Sequence, residues 1–362
     1  MAETQETHRF PCDQCGADFR FSPEQGLMLC DFCGNTAPIA ASGGAKAIHE
    51  NDFERAIAGQ DPTEFEESKV VTCTNCGAQF TFEPSIHAAE CPFCASPIVI
   101  DTGTRRLIKP KALLPFSLSE TDGKKAMTDW LGRLWFAPNG LQEFARKGRK
   151  MDGIYVPFWT YDAKTASGYR GERGTIYYVT RTVVRDGKRQ QIREQKIRWS
   201  PASGRVKRFF DDVLILASKS LPKKFTDALA PWDLPALEPY RPEFLAGFRA
   251  EGYTIELAAG YDEARDHMDR VIERDVKFDI GGDRQRIHDI NTAVSEVTYK
   301  HVLLPVWLAA YKYRGKTYRF VVNGRSGKVQ GERPYSAIKI TIAVVLGLLI
   351  AGIVGYFIAM NQ

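Results

Sequence analysis

Residues 12–23 read "CDQCGADFRFSP" and residues 73–84 read "CTNCGAQFTFEP", and each stretch runs on to a second cysteine pair. The first copy closes with Cys30 and Cys33, the second with Cys91 and Cys94, so both spell C-x2-C-x14-C-x2-C. Cys12, Cys15, Cys30, Cys33, Cys73, Cys76, Cys91 and Cys94 are all the cysteines of the 362-residue chain. The shared Cys-Gly-Ala-x-Phe-x-Phe-x-Pro core marks an internal repeat.

Two residues between cysteines let one tight turn aim both sulfurs at a single ion, and two such turns complete a tetrahedron of four thiolates. Gly16 and Gly77 follow the first pairs, where the turn favours a left-handed backbone. Phe19-x-Phe21 and Phe80-x-Phe82 alternate as strand residues beside the ion. The expectation is two small zinc ribbons, each built on one structural Zn2+ whose four protein ligands leave no position open for catalysis. Ion binding of about 10–16 kcal/mol folds a unit too small for a core of its own. Disulfides are the weaker reading, because a C-x2-C ring is strained and "MAETQETHRF" carries no export signal. Four thiolates also suit an iron–sulfur cluster. His87, inside the second repeat, reads as a surface residue.

The net charge of +5 hides a split. Residues 1–104 hold 5 Lys+Arg against 16 Asp+Glu, a net −11, and the rest of the chain is +16. At the other end, residues 340–360 read "ITIAVVLGLLIAGIVGYFIAM", 21 residues without a charge. At about 1.5 Å per residue that is roughly 30 Å, the thickness of a bilayer core. Arg325, Lys328, Arg333 and Lys339 precede it and only Asn361 and Gln362 follow. A tail-anchored, single-pass protein of the inner membrane is expected, with its N-terminal domains cytoplasmic and residues 340–360 in the lipid bilayer. Gly347, Ala351 and Gly355 form a small-residue stripe on which a second membrane helix could pack.

The fold class expected is multidomain α+β. Its parts are a ribbon at 1–40, an acidic linker at 41–69, a second ribbon at 70–104, a basic β-rich body at 105–335 and an anchor at 336–362. In the linker, "AIHENDFERAIAG" reads as a short amphipathic helix with Ile48, Phe53 and Ile57 on one face. In the body, "GKKAMTDWLGRLWFA" (123–137) and "AAGYDEARDHMDRVIERDV" (258–276) read as helices. "GTIYYVTRTVV" and "RQQIREQKIRWS" flank Asp186-Gly187, a hairpin signature. "VPFWTYDA" (156–163) and "LPVWLAAY" (304–311) share Pro-x-Trp, which a diverged duplication or two similar core strands would each explain.

No catalytic signature emerges. The body has no cysteine and no Gly-x-Ser-x-Gly, and His267, His288 and His301 stand isolated. "AYKYRGKT" (310–317) mimics a phosphate-binding loop, but the alternation around Arg314-Gly315 and the following "YRFVV" read as a strand hairpin.

"WFAPNGL", "GIYVPFWTYDA", "SGRVKRFFDDVL", "PYRPEFLAGF", "LLPVWLAAYKYRGK" and "VNGRSGKVQGERPYS", with the paired ribbons, carry a resemblance that covers nearly the whole chain. The sequence resembles bacterial tail-anchored membrane proteins with transcription-factor-IIB-type zinc ribbons. Members often carry the label primosomal protein or superfamily II helicase, which a chain without a helicase core cannot support. The resemblance implies a non-enzymatic membrane protein, some relatives being encoded beside phage-shock-type or band-7-type membrane stress proteins that they help recruit, and only the eight cysteine ligands transfer to this sequence.

The leading expectation is therefore a membrane-anchored adaptor that recruits protein partners at the cytoplasmic face, with no small-molecule substrate. The alternative is a nucleic-acid binder. Its ribbons are poorly suited, because the −11 head, made more negative by about −2 per tetrathiolate zinc, repels phosphate. The basic body could still bind nucleic acid, an acidic protein or anionic lipid. An enzyme with an unrecognised site in the body is the third reading.

Overall fold

The computed structural model describes residues 10–41, 43–60, 65–81, 88–94, 96–99, 102–136, 151–185, 188–313, 316–332 and 335–360. The first cysteine unit contributes β1 (Arg20–Ser22), β2 (Leu27–Leu29) and β3 (Thr36–Ala37), then come β4 (Asn51–Asp52) and the one-turn helix α1 (Phe53–Ile57). The second unit holds β5 (Phe65–Thr72), β6 (Gln79–Thr81), β7 (Ala88–Glu90), β8 (Pro97–Val99) and β9 (Thr102–Ile108). The body continues with β10 (Ala112–Leu113), α2 (Glu120–Gly132), β11 (Asp152–Arg185), β12 (Lys188–Leu216) and α3 (Lys223–Asp227). It closes with β13 (Glu238–Pro239), β14 (Arg249–Ala250), α4 (Leu257–Ile280), β15 (Arg284–Tyr313), β16 (Lys316–Asn323), β17 (Val329–Gly331) and α5 (Ala337–Met360).

Three very long strands, β11, β12 and β15, of 34, 29 and 30 residues, organise everything else. They pair antiparallel in the order β12-β11-β15. The two Pro-x-Trp segments lie side by side in this sheet, with Val156 opposite Leu304 and Trp159 opposite His301. Their runs are apolar without alternation because both faces of the sheet are covered there. Even-numbered side chains, Ile154, Val156, Phe158, Val302, Leu304 and Val306, share a core with Cys73, Cys91, Phe93 and Cys94. Odd-numbered ones, Tyr155, Leu303 and Trp307, share another with Cys12, Phe19, Phe21 and Cys30. The two cysteine units thus grip one sheet from opposite faces.

Beyond this near end the sheet bends. At Asp162 both flanking strands carry one residue more than β11, with register shifts between Tyr161 and Ala163 against β12 and between Asp162 and Lys164 against β15. Asp212 (φ 50) and Glu296 (φ 51) absorb these bulges in the left-handed region. The odd face past the bend belongs to α4. Its Leu257, Gly260, Ala264, Met268, Ile272, Val276 and Ile280 recur almost every fourth residue and are buried against Trp159, Tyr161, Tyr169, Phe210 and Tyr299.

Pairing with β15 ends at Gly174–Arg284, but β11 and β12 continue to Arg185–Lys188. Residues 175–185 and 188–198 therefore form a two-stranded hairpin that runs on for about 36 Å at ~3.3 Å per residue. Among the described residues β12 is an outer strand, and its Arg189, Arg193, Lys196, Arg198, Arg205 and Lys207 place like charges along an edge that would otherwise invite another strand. At the opposite end of the sheet β17 runs antiparallel to β16, bringing Gly331 level with Phe320 and Ala309 and leading the chain toward α5. None of the 24 residues of α5 is buried, and the helix is long and apolar enough to cross a membrane.

Several sequence expectations shift by a few residues. The linker helix shrinks to Phe53–Ile57 because Asn51–Asp52 pair with Thr298–Tyr299 and Asp52 caps the helix behind them. Phe53 packs on Tyr161 and Tyr261, while Ile57 is exposed. The helix expected at 123–137 starts at Glu120, because Ser119 and Asp122 form a capping box. The strands of the second unit reach past residue 104, since β9 pairs with β5 as far as Ile108 opposite Phe65. "AYKYRGKT" is strand on both sides, with Ala310 opposite Arg319 and Tyr313 opposite Lys316, so no phosphate-cradling helix follows it. The Asp186-Gly187 and Arg314-Gly315 turns, Phe82 and His87 lie outside the described residues.

One close approach holds α4 on the sheet. A Cβ on Gly260 would stand 2.5 Å from Tyr161 Oη and 2.8 Å from Trp159 Cδ1. Both neighbours are fixed, Tyr161 Oη donating to Leu257 O (2.7 Å) and Trp159 Nε1 to Ile255 O (2.9 Å). Gly260→Ala is expected to lower the urea midpoint of the full chain in detergent. Overpacking of about 1–3 kcal/mol exceeds the ~1 kcal/mol by which alanine improves a helix. An unchanged or higher midpoint would show that α4 does not sit this close.

Candidate metal centres

The two cysteine units are built alike at the backbone. Cys12 N–H donates to Ala17 O (2.7 Å) and Gly16 N–H to Cys12 O (2.8 Å), and Cys73 to Ala78 O and Gly77 to Cys73 O repeat this at 2.8 Å each. Gly16 and Gly77 stand at φ +76 and +73, where a side chain would be strained. The second turns repeat as well, with Cys30 N–H donating to Asn35 O and Cys91 N–H to Ser96 O at 2.8 Å each.

These turns converge the sulfurs. Cys12 and Cys33 lie 3.5 Å apart and Cys15 and Cys30 3.4 Å, while the pairs Cys73–Cys94 and Cys76–Cys91 are each 3.7 Å apart. Within each group all four sulfurs lie within 4.8 Å of one another. Tetrahedral thiolates on one ion with bonds of about 2.3 Å would be ~3.8 Å apart, whereas a disulfide needs ~2.05 Å. Both groups therefore fit a single metal ion, and their cysteines are free of disulfides. In each group two thiols are pushed toward losing their protons, Cys12 and Cys30 in the first and Cys76 and Cys94 in the second. Cys76 is pushed down to about 5, first by its hydrogen bond with Cys91, whose own thiol is raised. At Cys12 burial pushes upward, but backbone N–H groups of Gln14 and Cys15 and the Asn35 amide bring it down to about 6. A bound ion removes the remaining protons.

Surroundings separate the twins. Phe32 and Phe93 occupy the same place, directly before the last cysteine, yet Phe32 is 85% exposed and Phe93 0%. Cys15 and Cys33 are exposed as well, whereas Cys73, Cys91 and Cys94 are buried. The second unit is packed into the even-face core; the first docks through Phe21, which lies 5.2 Å from the ring of Phe244, and leaves its far knuckle in solvent.

Of the other residues singled out, Gly347, Ala351 and Gly355 lie on α5, and Gly347 and Gly355 have open space where a Cβ would stand. His301 is a core residue whose Nδ1 lies 2.7 Å from Ile108 O; burial pushes it down to about 4, so it is neutral. His288 is exposed, 3.8 Å from Glu172, and His267 lies on α4.

A cluster that sequence spacing gave no sign of sits at the bend. Glu50, Asp162 and Asp212 bring their carboxylates together. The place of a cation is taken by Lys300, whose Nζ lies 2.6 Å from Glu50 and 2.7 Å from Asp212. Asp162 Oδ1 accepts from Asp212 N–H at 2.7 Å. Burial, together with its hydrogen bond to Glu50, pushes Asp162 up to about 7. Lys300 and Glu50 stand 250 positions apart, a separation no local pattern announces.

No family model matches the chain, and no solved structure does. The chain is similar to the uncharacterized protein YdjG of Bacillus subtilis (strain 168), 23% identical over 339 residues that cover 91% of each chain.

Metal analysis of the purified protein is expected to find one ion per cysteine group, falling by one equivalent in Cys12→Ser/Cys15→Ser. Because Cys73 and Cys91 line the body core, Cys73→Ser/Cys91→Ser should in addition open β11 and β15 to limited proteolysis. Intact protease resistance there would show that the second unit is not structural for the body. At the bend, Asp162 holds a proton in the folded state between about pH 4 and pH 7 that the unfolded chain releases, so its contribution to stability is lost as pH rises through that window. Asp162→Asn, which still accepts from Asp212, should raise the melting temperature at about pH 8 and converge on the parent toward about pH 4. An equal change at both would remove the buried carboxyl as the cause.

Proposed function

We propose that this chain is a membrane-anchored zinc adaptor. In this reading α5 crosses the inner membrane, residues 1–339 stay in the cytoplasm on the positive-inside bias of Arg325, Lys328, Arg333 and Lys339, and each four-cysteine group holds one structural Zn2+. The observation that carries the reading is the contrast between Phe32 and Phe93. The second unit spends its knuckle on the body, while the first holds an equivalent aromatic out to solvent on a rigid support. Residues 10–40, which include Phe32, carry Asp13, Asp18, Glu24 and Asp31 against the single base Arg20, and a tetrathiolate zinc adds about −2. The complementary partner is a protein with an apolar pocket rimmed by Lys or Arg, and tethering at the membrane raises its effective concentration.

A second reading rests on the hairpin. Residues 175–198 hold seven Lys+Arg against Asp186 and Glu194, and Tyr178 and Ile192 are half exposed. Arg193 stacks 4.0 Å over Tyr178 and Arg198 5.3 Å over Tyr177. A basic two-stranded ribbon of this kind fits a nucleic-acid groove.

Purification of the full chain in mild detergent, at low and high salt, tests both. The adaptor reading expects a stoichiometric protein that is lost in Phe32→Ser while the variant keeps its metal content and melting temperature. Nucleic acid bound at low salt, shed at high salt, unaffected by Phe32→Ser and lost in Arg181→Gln/Arg193→Gln/Arg198→Gln would move the function to the hairpin.

A further inference from the structure

The end of α2 and the start of α5 are joined in a way that neither helix requires for itself. α2 is held on the body by Met127 and Leu131, both buried, and by Trp130 packed edge-on 5.7 Å from Phe320. Past Gly132 the chain tightens rather than frays, Arg133 N–H donating to Trp130 O (3.2 Å) and Leu134 N–H to Leu131 O (3.1 Å). This carries Trp135 and Phe136 to the mouth of α5. There Ser336 N–H donates to Phe136 O at 2.7 Å and Lys339 Nζ to Trp135 O at 3.1 Å.

What the join displays is apolar and aromatic. Trp135 is 82% exposed, Tyr335 67% and Ile338 73%, with Phe136 partly exposed beside them. Single exposed apolar residues on a surface mean little. Here three aromatics from two segments are gathered at one level, where an uncharged helix begins. Trp and Tyr collect at the headgroup level of bilayers because their rings are apolar at one end and polar at the other. Arg133, two residues before Trp135, has a stem long enough to lie along that boundary with its charge in water.

We propose that Trp135, Phe136 and Tyr335 form an interfacial foot that seats the body on the headgroup–acyl boundary of the bilayer that α5 crosses. The proposal rests on α5 being a membrane span. A lone span leaves a body free to swivel, whereas a second contact on a rigid helix end fixes its attitude. The attitude has a consequence, since the strand ends that feed α5 lie at the opposite end of β11 from the 175–198 hairpin. Seated on the foot, the body holds its hairpin away from the lipid and toward the cytoplasm.

The test uses the full chain reconstituted in vesicles of phosphatidylcholine and phosphatidylglycerol, with and without lipids brominated near the carbonyl end of the acyl chain. Brominated lipid is expected to quench tryptophan emission of the parent, and most of that quenching should vanish in Trp135→Phe. Phe136→Ser/Tyr335→Ser, which keeps Trp135 as reporter, should weaken the quenching and shift emission to the red. Quenching that is unchanged in Trp135→Phe overturns the foot. So does a Trp135 shielded from aqueous acrylamide yet untouched by brominated lipid, which would mean that protein covers it. An alkaline carbonate wash separates the two levels of failure. Release of the chain from the vesicles removes the span and the foot together; a retained chain with unaltered quenching removes the foot alone.

Discussion

A sheet cannot leave two apolar faces in water, and that constraint shapes the near half of this protein. Val156 and Leu304 point one way and Tyr155 and Leu303 the other, all nearly inaccessible, so each face needs a cover. The two cysteine units supply part of each cover, Cys73, Cys91 and Phe93 beside Leu229 and Leu237 on one face, and Phe19 and Phe21 beside Met127, Leu131 and Phe244 on the other. A unit of some 30 residues has little core of its own and depends on an ion between its thiolates to be rigid. Cys30 and Cys91 belong to the same cores as the strands, so an ion held by their sulfurs would brace the sheet as well.

The far half is held differently. Past Asp162 one helix covers one face, and the bend that aims α4 at the sheet is made by two bulges at the same level. Lys300 sits there, buried, between Glu50 and Asp212. A buried ion pair is weak support for stability but specific in geometry, since breaking it strands a charge. It ties the linker between the cysteine units to the long strands, so the described residues between 10 and 60 are docked to the body through Phe53 and Glu50 as well as through Phe21. Further out, among the described residues, β11 and β12 pair only with each other, and the free edge is protected by charge.

The lesson for reading such a chain lies in the repeat. Two copies with identical spacing and near-identical residues around the first cysteine pair invite the view of two equivalent modules. Phe32 and Phe93 show that equivalence of fold is not equivalence of use, and the residue before the phenylalanine, Asp31 in one and Pro92 in the other, is the only local hint. The two Pro-x-Trp segments teach the same point in reverse. Similar strings, read as two halves or two strands, are neighbours in one sheet because both answer to burial on two faces.

By itself the sequence determined what short-range chemistry decides. Cysteine spacing sets where sulfurs converge, and an uncharged run sets a long apolar helix. Each depends on groups within a few turns of chain. Tertiary structure alone decided which face each cysteine unit covers, which phenylalanine stays in water, that Lys300 meets Glu50, and that Gly260 has no room for a methyl group. Those outcomes depend on which side chain stands opposite across a sheet or helix interface. Partners there lie up to 250 positions away in the chain, beyond the reach of any local period.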